Sequence, residues 1–257
     1  MNIVVCIKQT FDTEAKIVLD GNGKIDANGV NLIINPYDEF AIEEGIRLKE
    51  KLGGEVTVVA MGGARSQEAI RTALAMGADK GVLVSDPILE TTDEWGNAEI
   101  LAKAVSQLPY DIILAGRIAI DDGASQIAVR LAEALNVPSI SSVLKLDADG
   151  TQVTATREID GGTELIEVAL PAVVTAQKGL NEPRYPSVAG IMKAKKKPLK
   201  TLAVADLGLS AGDLAAKMTV EKYTLPTPRQ GGRKIPGEAA EAAKELARLL
   251  HEEAKVL

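Results

Sequence analysis

The sequence contains few of the residues that form disulfides, metal centres and acid–base catalysts. Its 257 residues include one cysteine, Cys6, and one histidine, His251. An internal disulfide is therefore impossible, which fits a reducing compartment and predicts a cytoplasmic protein. A Ser/His/Asp or Cys/His catalytic set cannot be assembled around a single histidine that lies among charges near the end of the chain. We expect no catalytic residue and no metal site.

Aromatic residues and long apolar runs are also scarce. Only 3% of the residues are aromatic, whereas 46% are hydrophobic, so the core must consist of Val, Ile, Leu and Ala. Such a core favours layered α/β packing. No apolar run approaches the ~20 residues that span a bilayer, and the N-terminus lacks the pattern of a signal peptide. The net charge of −7 argues against nucleic acid as a general partner.

The first half of the chain alternates between strand and helix patterns. Strands are predicted at 2–7, 55–61, 81–85 and 111–115, and helices at 38–52, 67–76, 97–107 and 124–135. Asp38 and Ser66 are the expected N-caps of the first two helices. This alternation predicts an α/β fold with a parallel sheet and helices on both faces, which is a Rossmann-like arrangement.

The second half has a different organisation. Strands are predicted at 140–146, 152–158, 163–169 and 171–176, and the segment 152–169 is an appended antiparallel hairpin. Residues 200–235 are rich in Pro and Gly with little periodicity, which indicates an extended arm, and a terminal helix follows at 236–255. We therefore predict an α/β nucleotide-binding domain at 1–199. The remaining arm and helix, 200–257, cannot bury a core of their own and must pack on this domain or on another chain.

Three loops lie where ligands bind in open parallel sheets, beyond the carboxyl ends of the strands. They are residues 8–13, 61–66 and 116–126. The third loop contains Asp-Asp-Gly-Ala-Ser-Gln at 121–126, and free N–H groups at the helix start there would accept a phosphate. Gly62 would let a base or ribose approach the backbone. The alternative is that these residues only form tight turns and caps. The sequence has no Walker lysine motif, and no GxGxxG motif follows the first strand.

A cluster of lysines follows a proline-punctuated segment. Lysines at 193, 195, 196, 197 and 200 form the densest positive cluster of an acidic chain. A solvated surface run is one interpretation. The other is a docking patch for an acidic partner surface, with Val188 and Ile191 as an apolar anchor.

Several long motifs resemble one family. RTALAMGAD (71–79), REIDGG (157–162), LPAVVTA (170–176) and LNEPRYPSVAGIMKAKKKP (180–198) closely resemble the β subunit of electron transfer flavoprotein. The match extends to VCIKQ near the start and NPYDEFAIEEGIRLKE (35–50). The resemblance implies an adenine-nucleotide α-hydrolase-like fold. It also implies a heterodimer whose α subunit holds most of the contacts to a redox-active FAD and receives the arm and terminal helix of this chain.

The resemblance also implies roles for individual residues. The cofactor-binding residues would be Cys6, Asn35, Pro36, Met61, Gly62, Asp121, Gly123, Ala124, Ser125, Gln126 and Ile127. The partner-docking residues would be Tyr185, Val188, Ile191, Met192, Lys193, Lys195, Lys196 and Lys197. Val188 stands where the family normally has a leucine that inserts into an acyl-CoA dehydrogenase, so the anchor is shorter here.

The family has two branches, and the sequence carries features of both. In the respiratory branch the β chain binds AMP structurally, and electrons pass from acyl-CoA-type dehydrogenases to a membrane-bound quinone oxidoreductase or another acceptor. In the bifurcating branch a second FAD replaces AMP and reacts with NADH. REIDGG resembles the first branch, whereas NPYDEF resembles the second, and small residues at 123–125 would leave room for a larger nucleotide. We expect AMP, with the second FAD and a stand-alone adenine-nucleotide-binding protein as alternatives.

Overall fold

The computed structural model describes residues 1–229 and 231–257. Gln230, which falls in the predicted arm, lies outside the described residues. The strands are β1 (Asn2–Ile7), β2 (Gln9–Phe11), β3 (Leu32–Ile34), β4 (Glu55–Met61), β5 (Lys80–Val84), β6 (Ile112–Gly116), β7 (Ser139–Ala148), β8 (Gln152–Ile159), β9 (Gly162–Ala169), β10 (Ala172–Ala176) and β11 (Leu199–Leu202). The α-helices are α1 (Pro36–Leu52), α2 (Ser66–Met76), α3 (Glu94–Val105), α4 (Ile127–Leu135), α5 (Val188–Ala194) and α6 (Ala239–Glu252).

Nine of these strands form one sheet in the order β11-β5-β4-β1-β6-β10-β7-β8-β9. The strands from β11 to β7 pair in parallel, and β8 and β9 extend the sheet as an antiparallel hairpin. The short strands β2 and β3 form a separate antiparallel pair. The predicted α/β class, with its parallel sheet and appended hairpin, is confirmed.

The central strand β1 supplies side chains to hydrophobic cores on both faces of the sheet. Ile3 and Val5 belong to one core together with residues of α1 and α2, whereas Val4 and Cys6 belong to the other with residues of α3 and α4. Alternate residues of a strand point to opposite faces, so a strand covered by helices on both sides must be apolar throughout. The continuous run Ile3–Ile7 is buried accordingly.

Helix starts differ from the prediction in ways that matter for the site. Asn35, not Asp38, is the N-cap of α1, because Pro36 takes the first helical position that its fixed φ suits. Asp38 is buried in the first turn instead. The predicted cap Ser66 is the first residue of α2, and Arg65 precedes it as the N-cap. α4 begins at Ile127, three residues after the predicted start, so 121–126 is a loop.

The segment after β10 is more regular than its composition indicates. Ser187 accepts a hydrogen bond from the Gly190 amide and caps the short helix α5 within the predicted docking loop. Residues 199–202 form β11, which pairs with β5 at the edge of the sheet. The expected boundary between residues 199 and 200 therefore falls inside a strand.

Two compact units are distinguished by their internal contacts. The larger comprises residues 1–16 and 27–221 and contains the sheet, and the smaller comprises residues 17–26 and 222–257. The smaller unit includes a turn closed by the Leu19–Ile25 bridge and the helix α6, in which Leu249 is buried. None of the helices in the described ranges has both the length and the apolarity required to cross a bilayer.

Candidate functional site

A cavity of about 290 Å³ lies at the carboxyl ends of β1, β4 and β6. β1 and β6 are neighbours in the sheet, yet the chain leaves β1 toward β4 on one side and later returns to β6 on the other. Such a reversal opens a crevice outside the strand ends, where open α/β proteins bind ligands. Eight of the eleven predicted cofactor-binding residues line the cavity: Cys6, Asn35, Met61, Gly62, Ala124, Ser125, Gln126 and Ile127. The other three, Pro36, Asp121 and Gly123, lie beside lining residues in the chain.

Asn35 connects the start of α1 to the loop that follows β6. Its side chain is 1% exposed, and Nδ2 donates to the Ile118 carbonyl oxygen at 2.9 Å. Its Oδ1 accepts from the Ile120 amide at 3.2 Å. Nδ2 also donates to Oδ1 of Asp38 at 2.9 Å. The amide therefore satisfies buried polar groups from both segments and fixes the wall of the cavity.

Asp38 was missed as a site residue by the sequence reasoning. Its Oδ2 accepts from the Lys8 amide at 2.6 Å, and its Oδ1 accepts from the Gly116 amide at 3.0 Å. These amides stand at the carboxyl ends of β1 and β6. Gly116 has to be glycine, since a Cβ there would lie 2.2 Å from Oδ1 of Asp38. One carboxylate thus joins α1 to two neighbouring strands.

Burial changes the acidity of two groups in the cavity. Burial raises the pKa of Asp38 to about 7, although the hydrogen bonds from Asn35, Lys8 and Gly116 oppose this increase. Burial, and then the charge of Asp38, raises the pKa of the Cys6 thiol to about 12. Cys6 is therefore a neutral thiol and a poor nucleophile.

The loop at residues 121–126 is held across the cavity by Lys8. The Lys8 ammonium is 2.8 Å from Oδ1 of Asp121 and 2.6 Å from Oδ2 of Asp122. Oδ1 of Asp122 accepts from the Ala124 amide at 2.8 Å. Ser125 has a φ of 54° and leads into α4. The first amides of α4, like those of any helix, have no hydrogen-bond partner within the helix. The first turn also has neither a side-chain cap nor an acidic residue, so the positive end of the helix dipole is not compensated there. Residues of this turn line the cavity.

The far wall of the cavity was not identified from sequence. Thr92 and Asn97 line it and are joined by a 2.7 Å hydrogen bond from Oγ1 to Oδ1. Asp93 caps α3 through the Gly96 amide. Arg117 also lines the cavity, and its Nε is buried without a hydrogen-bond partner in the described part of the chain. A guanidinium in that condition can take an anionic ligand.

The predicted docking residues lie on and around α5, away from the cavity. Four of them are exposed apolar or aromatic side chains: Tyr185 (92%), Val188 (81%), Met192 (61%) and Ile191 (48%). Lys193, Lys195 and Lys196 are exposed as well. Lys197 differs from its neighbours, because its ammonium donates to the carbonyl oxygens of Leu74 and Ala78 at the end of α2.

Two arginines fix both ends of this surface. Arg184 donates through its guanidinium to Glu43 and Glu50 on α1. Arg71 on α2 donates to the carbonyl oxygens of Ala194 and Lys197, at 2.7 and 2.9 Å. The predicted docking residues thus lie on and around a short helix whose position is set by α1 and α2.

The fold and the cavity define a class: open α/β proteins with a ligand crevice at the point where the strand order reverses. Comparison with known proteins specifies the class further. The family described as "Electron transfer flavoprotein domain" matches residues 22–207. The chain is similar to electron transfer flavoprotein subunit beta of Bacillus subtilis strain 168, with 49% identity over 259 residues and complete coverage of both chains. The proteins of the same name from Syntrophomonas wolfei and Homo sapiens are 47% and 40% identical, covering 100% and 91% of this chain and 98% and 92% of theirs.

The chain therefore belongs to the family of electron transfer flavoprotein β subunits. The resemblance predicted from the motifs is confirmed.

Proposed function

We propose that this chain is the β subunit of a heterodimeric electron transfer flavoprotein and that its cavity binds AMP. The α subunit would hold most of the contacts to the redox-active FAD, and residues 222–257, which follow the sheet-containing unit of this chain, would pack on it. The observation that carries the nucleotide proposal is the crevice between β1 and β6 with the uncapped start of α4 at its edge. The family membership supports the flavin-linked role.

The electrostatics of the cavity support a ligand with few phosphate charges. The phosphate would accept hydrogen bonds from the first amides of α4 and from Arg117. Acidic side chains outnumber basic ones among the lining residues of the described chain: Asp38, Asp93, Glu94 and Asp122 against Lys8 and Arg117. Such a site disfavours the higher charge of ATP. The cavity volume of about 290 Å³ is just below the usual range for small-molecule sites, roughly 300–1,000 Å³, which favours a mononucleotide over a larger ligand.

A second FAD is the alternative occupant, and the loop at 121–126 is the observation that favours it. Gly123, Ala124 and Ser125 have small side chains, which leave space beside the cavity for a longer ligand. Nucleotide content of the complex purified with its α subunit decides between the two. One FAD and one AMP per heterodimer would support the proposal, whereas two FAD would support the bifurcating alternative. A complex without flavin would refute both.

We infer that the surface around α5 docks an acyl-CoA-type dehydrogenase, which delivers electrons that the complex passes to a quinone oxidoreductase or another acceptor. The exposed Val188 and its neighbours supply an apolar anchor, and the lysines supply attraction to an acidic surface. The single buried thiol, free of disulfides, supports a reducing cytoplasmic compartment.

The docking proposal is tested by substitutions that change the length of the apolar side chain at position 188 and the charge of the lysines. Val188→Asp should slow electron transfer from the dehydrogenase without releasing either nucleotide, and Val188→Leu should accelerate it because the anchor becomes longer. Lys195→Glu should lower the association rate, with an effect that shrinks as salt is added. Lys103→Glu, on the exposed surface of α3, is the matched charge control. Nucleotide loss in Val188→Asp, or equal effects of Lys103→Glu, would contradict the assignment.

A further inference from the structure

We propose that Asp38 determines the specificity of the cavity: its carboxylate occupies the anion position at the ends of β1 and β6, so that a ligand phosphate is confined to the first turn of α4. The inference deepens the proposed function, since the excluded group is the phosphate of the proposed nucleotide.

The position filled by Asp38 has the hydrogen-bond donors of an anion site, and these donors oppose the burial that raises the pKa of Asp38 to about 7. It lies at the crevice between β1 and β6, where two backbone N–H groups point out of the sheet. Asp38 accepts both of them, from Lys8 at 2.6 Å and from Gly116 at 3.0 Å. Nδ2 of Asn35 supplies a third donor at 2.9 Å. Three N–H donors converging on one carboxylate is how proteins hold bound anions, but here the anion is part of the chain.

The carboxylate cannot leave this position easily. Asp38 is 5% exposed and lies in the first turn of a 17-residue helix. Gly116 lies directly against it without a Cβ, and Asn35 is itself fixed by the Ile118 and Ile120 backbone. A ligand phosphate would therefore have to displace a group that is already bonded on both oxygens.

The two helix starts beside the cavity differ in the negative charge of their first turns. α1 carries Asp38 and Glu39 in its first turn, which compensate the positive end of its dipole. α4 carries no acidic residue in its first turn and no side-chain cap. Neither helix start has a side-chain cap, so the absence of acidic residues leaves α4, of these two, with the uncompensated dipole for a phosphate.

Chemical rescue by formate tests whether the position is an anion site. Asp38→Ala removes the carboxylate and leaves the three donors around a space of its size. At neutral pH, where formate is ionised, formate should raise the Tm of Asp38→Ala relative to chloride at equal ionic strength. The increase should be roughly 3–6 °C when formate exceeds its Kd about ten-fold. The wild-type protein and Asp147→Ala, which removes an exposed carboxylate, should show no such increase.

Two further measurements cover the case in which Asp38→Ala does not fold and the case in which the space is not empty. If Asp38→Ala is unfolded in chloride, the same titration should restore the folded circular dichroism signal. Asp38→Asn, which keeps the volume of the side chain, should not respond to formate. The proposal would be overturned if formate neither raised the Tm of folded Asp38→Ala nor restored the folded circular dichroism signal of the unfolded variant.

Ligand preference provides the specificity readout. At a pH above the Asp38 pKa of about 7, where the carboxylate is charged, the affinity ratio of AMP over adenosine should be about three-fold or more higher in Asp38→Asn than in wild type, because repulsion of the phosphate is reduced. An unchanged ratio would overturn the specificity role. If neither compound binds to any variant, the proposed nucleotide function fails, whereas the formate result still decides the nature of the Asp38 position.

Discussion

Arg184 fastens the segment that precedes α5 to the helix α1, and its removal should measurably destabilise the chain. Its Nε and Nη2 donate to the carboxylate of Glu43 at 2.8 and 3.1 Å. Its Nη1 and Nη2 donate to Glu50 at 2.7 and 3.1 Å. The side chain of Glu43 is only 3% exposed, so it has little access to water if its partner is lost.

The size of the effect follows from the burial of each partner. Breaking a buried ion pair costs about 3–5 kcal/mol, since one charge stays buried without compensation. Two features reduce this cost: Arg184 is 37% exposed, and Glu43 keeps a 2.7 Å bond from Nε of Arg47. The pair with Glu50 is exposed and adds little. Arg184→Ala should therefore lower the free energy of unfolding by about 2 kcal/mol, which corresponds to roughly 4–8 °C in Tm for a chain of this size.

Thermal and urea unfolding of the full-length chain measure this change. Arg248→Ala is the matched control, because Arg248 also bonds two carboxylates, Glu245 and Glu252, but all three side chains are exposed. We expect no resolved change in Tm for the control. Arg184→Lys should fall between wild type and Arg184→Ala, since it keeps the charge without the planar fork. Equal shifts in Arg184→Ala and Arg248→Ala would refute the reasoning that burial of Glu43 sets the cost.

Three other predictions concern the cavity and the lysine cluster. Cys6 should not react with a thiol reagent at pH values well below its pKa of about 12 while the chain is folded, and one thiol should react after unfolding. Gly116→Ala should weaken nucleotide binding and lower the Tm, because the new Cβ would lie 2.2 Å from Oδ1 of Asp38. Gly63→Ala is the control and should leave both measurements unchanged, because the space around Gly63 is open. Lys197→Met should lower the Tm more than Lys196→Met, since of these two lysines it is Lys197 whose ammonium donates to the carbonyl oxygens of Leu74 and Ala78. A larger decrease in Lys196→Met would contradict this assignment.

The sheet was predictable because its strands are covered on both faces. Runs such as Ile3–Ile7 are apolar without interruption, and a strand of this type needs no distant information to be recognised. The hairpin β8–β9 was predictable for a similar reason, since Asp160 and Gly161 mark its turn. In contrast, β11 is a four-residue edge strand with two exposed residues, and its place is set by β5 and not by its own sequence.

The cavity was predictable in outline and not in its polar detail. Small residues after strands indicated which loops meet, and eight of the predicted residues line the cavity. The role of Asp38 depends on Gly116, which is 78 residues away, and local capping preference therefore placed Asp38 at the wrong position. Lys8 and Arg117 were missed for the same reason: their significance comes from loops that only the folded sheet brings together.

The helix α1 is a component that the cavity and the proposed docking surface have in common. Its first turn carries Asp38, and Glu43, five residues later, holds Arg184, which is an axial distance of about 7.5 Å. Glu50 holds the same arginine two turns further on. Substitutions within α1 are therefore pleiotropic: a displacement of the helix that suits one surface alters the other. If α5 docks the proposed redox partner, variation that adapts the chain to a new partner is most freely placed on its exposed face, because Val188 and Met192 are exposed and do not line the cavity.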